Sequence, residues 1–385
     1  MIKSCENTDP STVVVALSGG GDSALAAALL KEQGWDVTGL HFILPATAEK
    51  RQARALSVGR VEDHLQIPVH FLDLESAFSR DVVAPFVQAY LNGLTPNPCV
   101  VCNEIIKFET LLQYREKNAI SHMATGHYAT VKAGQDGIGE LWRGVDHGKE
   151  QSYFLHRLTP RHLARTLLPL GRMTKKEAKE LAVKMNLPTS SEPESQEICF
   201  LPEKDYRLLL EKEKGPETMG GGDIVTQEGE KVGRHEGTYR YTVGQRHGLG
   251  IASSRPYYVA EIHPQMRRVI VGRKEDLLST VAEADGFNWL DEAARHDGRR
   301  LHAQIRYRHV AAPGRIEVLS PEEVRFEFDE PQWAVTPGQA LVCYEGDRVI
   351  GGGWIRRGCT AHGAAYSAEV SSGTKARRDT AEEKE

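Results

Sequence analysis

The sequence predicts an α/β protein in which a doubly wound, mostly parallel sheet forms the N-terminal domain, followed by a small mixed domain and a C-terminal β-barrel-like domain. Three observations carry that expectation. β-branched apolar runs alternate with helical-period segments through the first half, a Gly/Ser turn joins the first run to the first helical segment, and beyond about residue 210 helical periodicity gives way to short alternating runs.

The first strand is expected at 12–17, where Thr, Val and Ala follow one another. A helix at 24–33 places Leu25, Leu29 and Leu30 at helical spacing and stops at Gly34, a residue that accepts a left-handed cap without strain. A strand at 37–44, an amphipathic stretch ending near Gln66, a strand at 69–74 and helices at 77–91 and 103–117 follow. A further strand leads into Ala124-Thr125-Gly126-His127. Repeated β-α-β units put ligands at the carboxyl ends of the strands. The expected domains are 1–210, 211–280 and 281–362, with strands at 257–262 and 267–272 in the later part. A tail at 363–385, almost without large apolar residues, reads as disordered.

Composition narrows the class. The 385 residues carry 48 Lys+Arg against 53 Asp+Glu, a net charge of −5, which excludes a strongly basic polyelectrolyte. At about 150 residues per domain the length suggests two or three domains, and 40% apolar with 26% charged residues is the balance of a globular protein. No apolar run approaches the roughly 18 residues of a membrane span, and the first ten residues lack the pattern of a signal peptide, so a cytoplasmic protein is expected. Six cysteines are too few for a disulfide scaffold in a chain of this length.

Three motifs carry chemistry. Ser18-Gly19-Gly20-Gly21-Asp22-Ser23 lies between the first strand and the first helix, where glycines turn backbone N–H groups toward an anion and the helix adds its positive dipole end. The bland alternative is a plain strand–helix turn. The Gly-Lys-Ser/Thr ending of the common P-loop is missing, which disfavours a kinase or GTPase. Thr95-Pro96-Asn97-Pro98-Cys99-Val100-Val101-Cys102-Asn103 sets two cysteines three apart ahead of a helix, where a thiol pKa is expected to fall. Such a pair is redox-active, half of a zinc site or part of an iron–sulfur site, and its distance from His122 and His127 does not match usual zinc-finger spacing. The third motif is Ser195-Gln196-Glu197-Ile198-Cys199-Phe200, for which a buried structural cysteine is the bland reading.

In this order, and with Ala124–Tyr128, Gln151–Leu155, Tyr241–Gly250, Ile305–Arg308, Thr336–Gln339 and Gly351–Gly353, the sequence resembles the bacterial tRNA-uridine 2-sulfurtransferases, or tRNA 2-thiouridylases, of the ATP-pyrophosphatase superfamily. The resemblance runs from about Val13 to Ile355. It implies that ATP, helped by Mg²⁺, adenylates the carbon-2 oxygen of the wobble uridine of tRNA, and that a persulfide sulfur then displaces AMP. It assigns Ala16, Leu17, Ser18, Gly19, Gly20, Gly21, Asp22, Ser23, Phe42 and Gly126 to the nucleotide. Cys199 matches the persulfide carrier and Cys102 its partner thiol, which either liberates the sulfur or leaves a Cys102–Cys199 disulfide. Asn97, Pro98 and Cys99 match the segment beside the target base. His127, Lys149, Glu150, Gln151, Arg306, Tyr307 and Gln339 match tRNA contacts, and a cysteine desulfurase or sulfur-relay protein is the expected donor.

This chain departs from the family pattern in several places. Gly21 stands where the family usually has Val, Phe42 where it has Met, Glu150 where it has Asp and Glu197 where it has Gly. Cys99 stands where some relatives have Asp, so Cys99, Cys102 and Cys199 offer an alternative three-cysteine iron–sulfur site. Basic residues crowd 157–179 and 299–308, the expected RNA-facing surfaces. A different adenylating enzyme, such as an amide-forming ligase on a small molecule, is the competing function; it would have no need of Cys102 and Cys199.

Overall fold

The computed structural model describes residues 11–134, 139–189, 198–201, 203, 205–215 and 220–360. The expected tail at 363–385 and the segment Ser195-Gln196-Glu197 lie outside the described residues.

Five strands form the N-terminal sheet: β1 (Thr12–Ala16), β2 (Asp36–Ile43), β3 (Val69–Asp73), β4 (His122–Ala124) and, later in the chain, Thr166–Leu167. Each neighbouring pair is parallel. The alternation along β1 explains the layering. Val13 and Val15 enter one core with Leu25, Ala27, Val61 and Ala178, whereas Val14 enters the opposite core with Leu40, Phe108, Leu112 and Met123. A strand buried on both faces reads as a continuous apolar run, as 12–16 does.

On the first face lie α1 (Gly21–Glu32) and α2 (Ala48–Leu65). Ser23 and the alanines 24, 26, 27 and 28 are buried in α1, and these small side chains let it pack closely on the sheet. Gly34 follows with φ +86°, as the left-handed stop requires. Strand order reverses between β1 and β4, which places the crevice of a doubly wound sheet beyond their carboxyl ends.

The helix expected at 103–117 starts earlier. Asn97 caps it and one continuous helical run extends from Pro98 to Lys117, with a π-helical stretch at Cys102–Phe108 between α-helical ends. Cys102 therefore sits in the second turn rather than ahead of the helix. Proline at the first helical position, where no N–H is needed, accounts for the earlier start.

The hairpin β5 (Ala129–Ala133) and β6 (Gly139–Arg143) leaves the parallel sheet. A four-stranded central sheet (Gly222–Thr226, Lys231–His235, Tyr258–His263 and Arg268–Gly272) packs around Ile224, Val259, Val269 and Val271. Six strands then form an antiparallel barrel: Leu278–Trp289, Arg300–Gln304, Ala312–Ser320, Glu323–Trp333, Ala340–Glu345 and Arg348–Thr360. The first and last of these pair with each other and close it. The fold is the expected one with a closer union of its parts: β6 pairs with the last barrel strand at Trp142 and Arg348, and Ala340, Val342, Tyr344 and Val349 of the barrel share a core with Val14 and Phe108. No helix among the described residues is long and apolar enough to cross a membrane.

Candidate functional site: a glycine loop beside a group of thiols

The loop after β1 is braced from within. Ser23 Oγ donates to Gly20 O at 3.0 Å and accepts from Ser18 N at 3.1 Å, while Gly20 N donates to Ser18 Oγ at 3.3 Å. From α2, Ser57 Oγ donates to Gly19 O at 2.7 Å. Gly19 has φ +85°, and a Cβ there would lie 3.3 Å from Arg54 O. From the end of β4, Gly126 presses on the loop so closely that a Cβ would lie 2.8 Å from Asp22 C and O and 2.9 Å from Ser23 N. The first N–H groups of α1 have no partners within their own helix, so the loop presents donors and a positive helix end at the switch point.

Asp22 is engaged by two partners. Tyr128 OH donates to its Oδ1 at 2.8 Å, and Lys175 Nζ reaches Oδ1 at 2.6 Å and Oδ2 at 2.7 Å. Ala16 and Leu17 lead into the loop, and Leu17 O accepts from His41 Nδ1 at 2.7 Å. Phe42 is partly buried in the core that contains Val14 and Phe108, near the carboxyl end of β2.

The thiols lie along the neighbouring helix. Cys102 is 7% exposed and packs with Phe78, Val82 and Ile106, a cluster that Leu44, Leu74 and Phe200 also join. Phe200 meets Phe78 at 5.5 Å and Phe86 at 5.4 Å between ring centres, both edge-on. These contacts hold the exposed Cys199 beside the buried Cys102 cluster. Cys99 is also exposed, and all three are free thiols.

The expected drop in thiol pKa is overturned. Burial pushes Cys102 up to about 11 against the opposing pull of Lys107. Desolvation of the thiolate outweighs the helix end. The structure does not bring the three cysteines into a ligand set: among the described residues no three His, Cys, Asp or Glu side chains are grouped to hold a metal ion. An iron–sulfur arrangement therefore does not fit these positions as they stand.

Lys107 connects the two halves of the site. Its Nζ donates to Asn103 Oδ1 at 3.0 Å, and its charge acts on Cys99, Cys102 and His127 alike. His127 follows Gly126, hydrogen-bonds Thr125 Oγ1 at 2.7 Å and faces Phe108 at 5.9 Å. Burial first, then Lys107, depress its pKa to about 3, so its imidazole is neutral near pH 7 and brings no positive charge to a phosphate.

The barrel holds the loop ahead of Cys99. Thr95 N donates to Pro337 O at 2.9 Å and Gln339 Nε2 to Thr95 O at 2.8 Å. Gly338, at φ +88°, passes so near that a Cβ would lie 2.9 Å from Thr95 N. Asn97 hydrogen-bonds Tyr153, whose hydroxyl also donates to Ala340 O at 3.1 Å, and Pro98 is buried. Tyr307 packs on Phe154 at 4.3 Å, and Arg306 Nη1 donates to Trp333 O at 3.0 Å.

Several residues expected to face RNA are engaged by partners within the protein. Glu150 is 4% exposed, pairs with Arg143 at 2.8 Å and accepts from Ser152 N and Oγ. A direct contact through this carboxylate would have to break that network. Gln151 Oε1 accepts from Tyr128 N at 3.0 Å, while Lys149 lies in the adjoining turn after Asp146. In the basic runs, Arg157 bonds Glu104 and Gly286 O, and Arg299 and Arg300 pair with Glu345 and Asp329. Sequence reasoning grouped Lys175 with surface charge and missed its place in the loop. The signal was Thr174-x-x-Glu177, a capping box that puts Lys175 at the start of the helix Lys175–Lys184.

Comparison with known proteins agrees with this architecture. Family models match residues 11–203 (tRNA methyl transferase HUP domain), 211–273 (tRNA methyl transferase PRC-barrel domain) and 279–355 (aminomethyltransferase beta-barrel domain). A protein of Geobacter metallireducens named tRNA-specific 2-thiouridylase MnmA is 44% identical over 355 residues, covering 89% of this chain and 96% of its own. Proteins of the same name from Koribacter versatilis and Carboxydothermus hydrogenoformans are 42% and 43% identical, covering 89% and 90% of this chain and 98% and 97% of their own.

Proposed function

The chain belongs to the tRNA-specific 2-thiouridylase family, and we propose on that premise that it catalyses ATP-dependent 2-thiolation of the wobble uridine of tRNA in the cytoplasm. The uridine carbon-2 oxygen attacks the α-phosphorus of ATP and pyrophosphate leaves. Sulfur then attacks carbon 2 and AMP leaves, so adenylation supplies the leaving group that uridine lacks.

The observation that carries this reading is the continuity from Asp22 and Ser23 through Gly126 and His127 to Lys107 and the thiols. An anion cradle and a sulfur pair past the carboxyl ends of one parallel sheet suit a reaction that needs both. Ala16–Ser23, Phe42 and Gly126 hold the nucleotide, with Mg²⁺ shielding its phosphates. A cysteine desulfurase or sulfur-relay protein loads the exposed Cys199 as a persulfide. The outer sulfur attacks carbon 2, and the Cys102 thiolate attacks the Cys199 sulfur to release the thiocarbonyl, leaving a Cys102–Cys199 disulfide that a dithiol reduces. Alternatively Cys102 first frees hydrosulfide, which then attacks. In either order Cys102 must lose its proton, so its burial has to be relieved when tRNA and nucleotide are bound.

Asn97, Pro98 and Cys99 line the side where the unstacked base enters, which a single-stranded anticodon loop presents at small cost. Lys149, Gln151, His127, Arg306, Tyr307 and Gln339 support the tRNA, His127 as a neutral group. An amide-forming ligase would give no role to Cys102 and Cys199.

A thiolation assay tests the assignment. Cys199→Ser and Cys102→Ser are expected to lose 2-thiouridine formation by at least about a thousandfold while retaining tRNA-dependent pyrophosphate release. Full thiolation by Cys199→Ser would refute the sulfur carrier, and pyrophosphate release indifferent to tRNA would favour the ligase.

A further inference from the structure

Lys175 stands where helix stability gives it no reason to be. It is the first residue of the helix Lys175–Lys184, whose positive end disfavours a cation. Thr174 and Glu177 cap that helix, and Lys175 N donates to Asp146 Oδ2 at 2.9 Å, so the root of the side chain is fixed. From there Nζ spans to both oxygens of Asp22 in the second residue of α1, at 2.6 and 2.7 Å. The Lys175 side chain is 20% exposed against 40% for Asp22, and the Tyr128 ring lies 5.4 Å beneath the ammonium.

Asp22 lies beside the N–H groups that make the loop an anion cradle. A carboxylate there is attracted to the helix end but repels any phosphate approaching it. The ammonium at its side cancels that charge. When a triphosphate carrying a divalent cation arrives, the carboxylate and the ammonium each gain a better partner: the cation for Asp22, the phosphate oxygens for Lys175. Resting on the nucleotide-site reading above, we propose that Lys175 is a pyrophosphate-binding residue, held on Asp22 in the empty loop and transferred to the β- and γ-phosphates of ATP and then to the departing pyrophosphate.

Calorimetry on the full chain tests this with AMP, ATP and inorganic pyrophosphate as probes. Lys175→Met is expected to weaken ATP and pyrophosphate by about tenfold to a hundredfold, the range of a charge-assisted hydrogen bond, and to leave AMP unchanged. Lys175→Arg should recover part of the loss. Asp22→Asn, which removes the carboxylate charge facing the ammonium, should bind pyrophosphate more tightly than wild type when divalent cations are chelated. Equal loss for AMP and pyrophosphate in Lys175→Met would mean that the lysine only shapes the loop, and would overturn the proposal, as would unchanged binding of all three or weaker pyrophosphate binding by Asp22→Asn. If wild type binds AMP and ATP while Lys175→Met changes neither, the nucleotide reading stands and this proposal alone falls. A wild type that binds no ATP removes both.

Discussion

The glycine loop and the thiol cluster both lie past the carboxyl ends of the parallel strands but are built in opposite ways. The loop is braced by Ser18, Ser23, Ser57 and Gly126 and held in one geometry. The helix keeps Cys102 buried, with its thiol raised to about 11, inside a π-helical stretch. π-helical turns recur at functional positions because they hold a locally less favourable backbone that can rearrange. The contrast is between a loop already fixed by its own hydrogen bonds and a thiol largely closed off from solvent.

The largest expected effect comes from breaking the rigid half. Gly126→Ala would set a Cβ 2.8 Å from the backbone of Asp22, which has no flexible tip to move aside, so the loop must shift. A displacement near 1 Å costs about a hundredfold in a positioned reaction, and tRNA-dependent pyrophosphate release should show it, with little change in the alkylation of Cys199. An unaffected rate would mean that the loop is less rigid than its bracing suggests.

The next effect sharpens the other half. Iodoacetamide labelling of Cys102 should rise about tenfold per pH unit up to about pH 11, and at pH 7 should run about a hundredfold slower than for a thiol of pKa 9. Lys107→Gln removes a charge that favours the thiolate and should move this midpoint higher. A Cys102 midpoint near 9, read by peptide mass analysis, would refute the buried-thiol contrast.

The smallest effect concerns the link between the cysteine helix and the barrel. Arg157→Ala removes paired bonds to Glu104 and one to Gly286 O. Loss of about 1–3 kcal/mol in denaturant unfolding is expected, together with a several-fold fall in thiolation kcat at unchanged KM for ATP. A rise in ATP KM would move this arginine's influence to the loop instead.

The glycine loop was legible because its chemistry is local: strand, turn and helix are consecutive, and each residue type has one conformational use. The parallel strands were legible for the same reason, down to the stop at Gly34. Cys102 was expected ahead of the helix with a lowered thiol pKa, and it lies buried within the helical run instead. The helix begins at Pro98, and the burying residues Phe78, Val82 and Phe200 come from distant segments. The burial of Glu150 was not legible because an acidic residue in a turn looks exposed until Arg143 and Ser152 are seen closing over it. Lys175 was hidden by its neighbours, since Lys176 and Lys179 make the stretch look like ordinary surface charge.

The pairing of β6 with the last barrel strand also sets a schedule. During synthesis at roughly 5–20 residues per second, the hairpin ending at Arg143 is complete about 10–40 seconds before Arg348 is added. Until then β6 is an open edge and the core around Val14 and Phe108 lacks its barrel side chains. The nascent N-terminal domain thus waits, with an adhesive strand uncovered, for residues 340–349, so a ribosome that stalls late leaves an aggregation-prone fragment rather than a smaller working enzyme.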